Sequence, residues 1–195
     1  TAPGGSTAPA GETPPLPPAA ASGTPERATN RTAPMNRIAR IEIDDAGRPP
    51  PTPEIDEERK VAIFDLLEDN SFTPAPRGEG ALPEGPYALT LSIRDKRLVF
   101  DIDTAAGDKA GEKVGEFHLS LGPFRQVVKD YFQIWKAYYE AVKSLPPAQI
   151  ETIDMARRGI HNEGARVLME RLEGKAEIDL DTARRLFTLI CVLWG

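Results

Sequence analysis

The sequence predicts an α+β domain of three or four mainly antiparallel strands, covered on one face by about four helices in the order βαβββααα. Three observations carry that reading. Tyr87, Leu89, Leu91 and Ile93 alternate with Ala88, Thr90 and Ser92, and Leu98, Phe100 and Ile102 alternate with Val99, Asp101 and Asp103, with only Arg94-Asp95-Lys96-Arg97 between the two runs. Segments before and after this pair repeat apolar residues at the 3.6-residue spacing of helices. The residues ahead of Met35, in contrast, are mostly Ala, Pro, Thr and Gly, with Leu16 the only large aliphatic among them.

Residues 1–34 cannot bury enough apolar surface to offset the entropy of ordering them, so a disordered tail is expected there and one domain over 35–195. Met35 reads as the native start and the residues before it as an upstream extension. Pro14-Pro15-Leu16-Pro17-Pro18 has the composition of a polyproline ligand, but a solvated linker accounts for it as well.

Within the domain, Ile41 and Ile43 alternate with charge and predict a first strand, ended by Asp44-Asp45-Ala46-Gly47 and the prolines after it. Thr52 before Pro53 is an N-cap followed by proline at the first helical position, and Ile55, Val61, Phe64 and Leu67 are expected on one buried face of a helix ending near Asn70. Residues 73–86 hold four prolines and three glycines, which predicts an exposed loop, either a lid or a variable connector.

If Asp95-Lys96 is the turn of a hairpin, Ile93 pairs with Leu98, Leu91 with Phe100 and Leu89 with Ile102, and every large apolar residue falls on one face. A polar loop over 104–113 then leads to a strand with Phe117, Leu119 and Leu121 inward and Glu116, His118 and Ser120 outward.

Pro123 opens a long helix with Phe124, Val127, Val128, Tyr131, Ile134, Trp135, Tyr138 and Val142 on its apolar side, ended by Leu145-Pro146-Pro147. A third helix runs from Pro147 toward Glu173, with Ile150, Ile153, Ile160, Val167, Leu168 and Leu172 inward; Gly159 and Gly164 imply a bend, a break or close packing. Asp179 or Asp181 caps the last helix, whose buried stripe is Ala183, Leu186, Phe187, Ile190, Leu193 and Trp194.

Composition excludes several functions. Lys and Arg number 24 against 30 Asp and Glu, a formal charge of −6 with no basic run, so nucleic acid is not an expected partner. The apolar run at the C-terminus is far shorter than the roughly 20 residues that cross a bilayer, and no secretory pattern opens the chain, so no membrane is expected either. The single cysteine, Cys191, lies in an apolar helix without a histidine, which suits a small buried hydrophobe in a reducing, cytoplasmic setting better than a nucleophile. No phosphate-cradling glycine loop is present: Gly78-Glu79-Gly80 lies among prolines with no strand before it.

Two polar clusters remain. Asp154, Arg157, Arg158, His161 and Glu163 gather around the two glycines of the third helix, and Arg157 and His161 stand one turn apart. Arginines there could hold a phosphate or carboxylate while His161 moves a proton, with Glu163 or Asp154 orienting it. Solvated ion pairs along an ordinary helix explain the same residues without any reaction. On the sheet, Asp101, Asp103 and His118 face the same way and could bind a divalent cation, although an exposed sheet face requires such residues anyway. The aromatic side chains Tyr131, Trp135, Tyr138 and Tyr139 lack interleaved basic residues and read as core or as a contact between copies.

Four segments carry a resemblance: Arg94-Asp95-Lys96-Arg97-Leu98-Val99-Phe100-Asp101-Ile102, Phe124-Arg125-Gln126-Val127-Val128-Lys129-Asp130-Tyr131, Arg157-Arg158-Gly159-Ile160-His161-Asn162-Glu163-Gly164, and Asp181-Thr182-Ala183-Arg184-Arg185-Leu186-Phe187-Thr188-Leu189. From Met35 onward the chain resembles the uncharacterised bacterial protein family UPF0262, a resemblance that implies the domain but brings no activity, cofactor or catalytic residue with it. The expectation is therefore a small cytoplasmic module that binds a protein partner or regulates one. The alternative is a small hydrolase or phosphate-ligand enzyme built on Arg157, Arg158, His161 and Glu163.

Overall fold

In the computed structural model, residues 36–76, 82–107 and 109–194 are described. The chain runs β1 (Ile38–Asp44), α1 (Pro53–Glu68), β2 (Phe72–Pro74), β3 (Tyr87–Arg94), β4 (Arg97–Ala106), β5 (Lys109–Ser120), a 3-10 turn at Gly122–Phe124, α2 (Arg125–Ser144), α3 (Pro147–Leu172), β6 (Ala176–Ile178) and α4 (Leu180–Trp194). The tail expected over residues 1–34 lies outside the described residues, as do Pro14–Pro18 and Gly78-Glu79-Gly80.

The main sheet has the strand order β1-β3-β4-β5. Its central hairpin has the register that alternation predicts, with Ile93 opposite Leu98, Leu91 opposite Phe100 and Leu89 opposite Ile102. Asp95 and Lys96 both adopt left-handed backbone, with φ of 50° and 59°, as a two-residue turn that follows the strand twist requires. β5 is antiparallel to β4 and β1 is parallel to β3, so two of the three pairings are antiparallel. A parallel pair needs a long crossover, and here α1 lies within it.

The helices cover the face formed by Leu89, Leu91, Leu98, Phe100, Ile102, Phe117 and Leu119, all buried in one core with Leu186, Phe187 and Ile190 of α4. Phe100 and Phe117 stack with centroids 4.8 Å apart. The opposite face is charged: Arg94 donates to Glu116 at 3.0 Å, and Lys113 pairs with Asp101. The α4 cap is Asp179, whose Oδ1 accepts from the Thr182 N–H at 2.7 Å, while Asp181 is exposed.

Four local expectations are corrected. Phe64 is 61% exposed, because α1 turns Ala62 and Leu66 to the core and Phe64 lies about half a turn away. Residues 73 and 74 leave the predicted loop and join Phe72 in β2, which pairs antiparallel with β6 and buries Phe72. Residues 104–106 and 109–113 of the expected polar loop instead continue β4 and β5, with Ala105 opposite Ala110 and the Thr104 hydroxyl accepting from the Glu112 N–H at 2.8 Å. Val142 is exposed, and Ala141 takes the buried position at that end of α2.

One polar joint holds the β1–α1 corner. The buried side chain of Asn70 accepts from the Ile38 N–H at 2.7 Å and donates to the carbonyls of Ile38 at 2.9 Å and Leu66 at 2.7 Å. It ties the end of α1 to the first residue of β1.

Candidate functional site

α3 is one unbroken helix, and its buried side carries His161, Gly164, Ala165, Leu168 and Leu172. Gly164 is there for close packing: a Cβ on it would fall 2.4 Å from the Phe187 ring. That approach brings His161 against α4, where its Nδ1 lies 3.3 Å from the Thr188 hydroxyl oxygen. Thr188 donates to the Arg184 carbonyl at 3.2 Å, so the imidazole proton sits on Nδ1 and donates to Thr188, leaving the lone pair on Nε2. Nε2 is buried and has no hydrogen-bond partner among the described residues.

The surroundings are aromatic. The Tyr131 ring meets the imidazole edge to face, with centroids 5.4 Å apart, and Phe187 lies 6.4 Å away. The Tyr131 hydroxyl donates to Glu58 Oε1 at 3.0 Å, bringing a carboxylate from α1 to the same junction. Trp135, one turn along α2, has a buried indole N–H that finds no partner among the described residues.

Burial dominates the electrostatics. His161, 3% exposed, is pushed down to about 3 by burial, with the cationic Arg157 and Arg184 adding to it, so its imidazole is neutral at physiological pH. Burial raises the Glu58 carboxyl, partly offset by the Tyr131 hydrogen bond, and raises the Tyr131 hydroxyl well above its ordinary value. The Cys191 thiol is pushed up in the same way, which leaves it an inert packing group. Burial also pushes the Asp154 carboxyl up, but its hydrogen bonds and attraction to Arg157 and Arg158 outweigh that and hold it below the usual range.

The structure brings together only part of the α3 cluster. Arg157 Nη2 and Arg158 Nη2 both reach Asp154, each at 2.8 Å, and the Arg157 guanidinium lies 5.5 Å from the Tyr138 ring centroid. His161 lies inside this ion-paired rim. Glu163 is exposed, and Arg158 stands at the surface.

On the sheet, Asp101 is opposite Glu116 and engages Lys113, while His118 is opposite Val99 with its Nε2 2.5 Å from Glu116 Oε1. Asp103 lies opposite Lys113. No group of three or more His, Cys, Asp or Glu side chains placed to hold a metal ion occurs among the described residues.

Glu58, Thr188 and the hydrogen bond from Tyr131 to Glu58 are what sequence reasoning missed. Tyr131 at an inward helical position was the usable signal, since a buried phenol needs a partner for its hydroxyl. Glu58 stands among Glu54, Asp56 and Glu57 in a helix start where acids are ordinary, and nothing distinguished it.

The fold and this junction define a class: an α+β domain with a mixed four-stranded sheet, whose helical layer closes around a neutral buried histidine. The family model for the uncharacterised protein family UPF0262 matches residues 35–195, and the chain belongs to that family. Among its bacterial relatives, the UPF0262 protein of Roseobacter denitrificans is 72% identical over 159 residues, covering 82% of this chain and 98% of the relative. That of Cereibacter sphaeroides strain ATCC 17025 is 74% identical over 163 residues, covering 83% of this chain and all of the relative. The Paracoccus denitrificans protein is 70% identical over 158 residues, covering 81% and 95%. No solved structure matches the chain.

Proposed function

We propose that this domain is a cytoplasmic protein-binding or regulatory module that meets its partner at the turn between α2 and α3. The observation that carries the reading is the apolar tip of that hairpin. Residues 142–149 are all exposed, and they include Val142 and Leu145, one helical turn apart, followed by Pro146 and Pro147. Lys143 is the only charge in that stretch, so water gains little from contact with it.

The reactive side chains support the same reading from the other direction. His161 is neutral and enclosed, and Cys191 is buried. A hydrolase or phosphate-ligand enzyme on Arg157, Arg158, His161 and Glu163 would need Glu163 turned inward and Arg157 free of Asp154. Among the described residues no helix is long and apolar enough to cross a membrane. The lone buried cysteine fits a reducing compartment.

A photo-crosslinking residue at Leu145, expressed in a bacterium that carries a family member, tests the reading, with Lys96 in the β3–β4 turn as control. The expected result is one discrete adduct to a different protein from Leu145, lost with Val142→Asp and absent from Lys96. No adduct from either site, or the same adducts from both, contradicts it.

A further inference from the structure

The two glycines of α3 have opposite surroundings. Gly164 is pressed against Phe187, whereas a Cβ on Gly159 would meet nothing within 4 Å. A glycine inside a helix costs about 1 kcal/mol relative to alanine, and no packing among the described residues uses the missing side chain of Gly159. Beside it stands Met155, 67% exposed.

Glu151, Met155, Gly159, Asn162 and Arg166 recur every three or four residues, so at about 100° per residue they fall within an arc of about 80°, beside the stripe that buries His161. Glu151, Gly159 and Arg166 are exposed and Asn162 is half-buried. Glu151 and Arg166 make no ion pair with any described residue, whereas Arg158 on the flank is held by Asp154. The acid lies toward the start of the helix and the base toward its end, at equal distances from the Arg158–Gly159 peptide. Such a stripe is complementary in charge to a copy of itself running the other way.

We propose that the outer stripe of α3 is a homodimer interface, in which two copies cross antiparallel on a twofold axis near Gly159. Glu151 of each chain meets the partner's Arg166, and Met155 packs beside the partner's Asn162. The absent side chain at Gly159 lets the two helix backbones approach at the crossing, as small residues do in close helix pairs. Because the axis maps each contact onto its mirror, both ion pairs form together. The stripe does not include the Val142–Leu145 tip.

The test is sedimentation equilibrium of the full chain across a dilution series, with Glu151→Arg, Arg166→Glu, the double swap and Gly159→Leu. The wild type is expected to dimerise, each single swap to weaken the dimer about tenfold or more, and the double swap to restore it. Gly159→Leu is expected to give monomers that melt no lower than the wild type does at concentrations where the wild type has dissociated, since the monomer has room for the side chain and leucine favours the helix. A wild-type chain that stays monomeric throughout overturns the proposal. So does a dimer indifferent to Gly159→Leu, or a double swap no better than the single ones.

Discussion

Asn70 and His161 are both buried polar side chains that join elements far apart in sequence, and they are treated very differently. At the β1–α1 corner every polar atom of the Asn70 amide is engaged, with three hydrogen bonds of 2.7 to 2.9 Å to backbone groups. At the α3–α4 junction His161 makes one bond of 3.3 Å and leaves Nε2 without a partner among the described residues. The first joint is held by hydrogen bonds and fixes the backbone. The second is held by packing: Gly164 on Phe187 and the aromatic wall of Tyr131 set the distance between helices, and the imidazole fills what is left. A buried polar group is therefore no measure of what holds its surroundings together until its partners are known.

Substitutions can break this contrast. Asn70→Leu is expected to have the largest effect, about 3 kcal/mol lost in urea unfolding, because the Ile38 N–H and two carbonyls are left buried and unbonded. Gly164→Ala comes next, at about 2 kcal/mol, since its Cβ overlaps the Phe187 ring and α3 must move off α4. His161→Leu should cost less than about 1.5 kcal/mol at pH 7, because Thr188 keeps its bond to the Arg184 carbonyl and the new side chain is apolar. Equal losses for Asn70→Leu and His161→Leu would erase the distinction between the two joints.

The contrast also shows in pH dependence. His161 has a folded value of about 3 against 6.5 when free, so below about pH 6.5 the unfolded chain takes up a proton that the folded chain refuses. Its stabilising contribution is full above that pH and is lost as the pH falls toward about 3, at a slope of about 1.4 kcal/mol per pH unit. Unfolding curves from about pH 6 to pH 4.5 should be steeper by that amount in the wild type than in His161→Leu. Glu58 acts with the opposite sign: burial raises its folded value, so its contribution is present at low pH and lost as the pH rises.

The same division marks what was legible in the sequence. The β3–β4 hairpin was readable in full because a two-residue turn and a strict period of two leave only one register that puts Leu89, Leu91, Phe100 and Ile102 together. α4 was readable because ten of its residues are buried, and a helix that apolar has little choice of face. α1 and α3 were readable in extent, from Pro53 and from Pro147, and Leu168 and Leu172 fall inward as their spacing predicts, but the rest of each face was less so, because both helices mix apolar and charged residues on several sides. Phe64 reads as core by its spacing and proves exposed, while Ala62, which is buried, carries no signal. His161 reads in the sequence as a proton carrier or as part of a solvated helix face, whereas it shares its side of α3 with the inward Leu168 and Leu172, and the partner that Gly164 packs against, Phe187, is what the sequence does not show. β2 and β6 are three residues each, too short for any periodicity to register.

The most direct measurement of the contrast is the protonation of His161 itself, followed by imidazole nitrogen shifts in NMR from neutral pH down to the onset of acid unfolding. The structure predicts a neutral ring, protonated on Nδ1, whose shifts stay constant throughout while the chain remains folded. An imidazole that titrates near 6.5 in the folded protein would place His161 in contact with water and contradict the packed, enclosed site described for it.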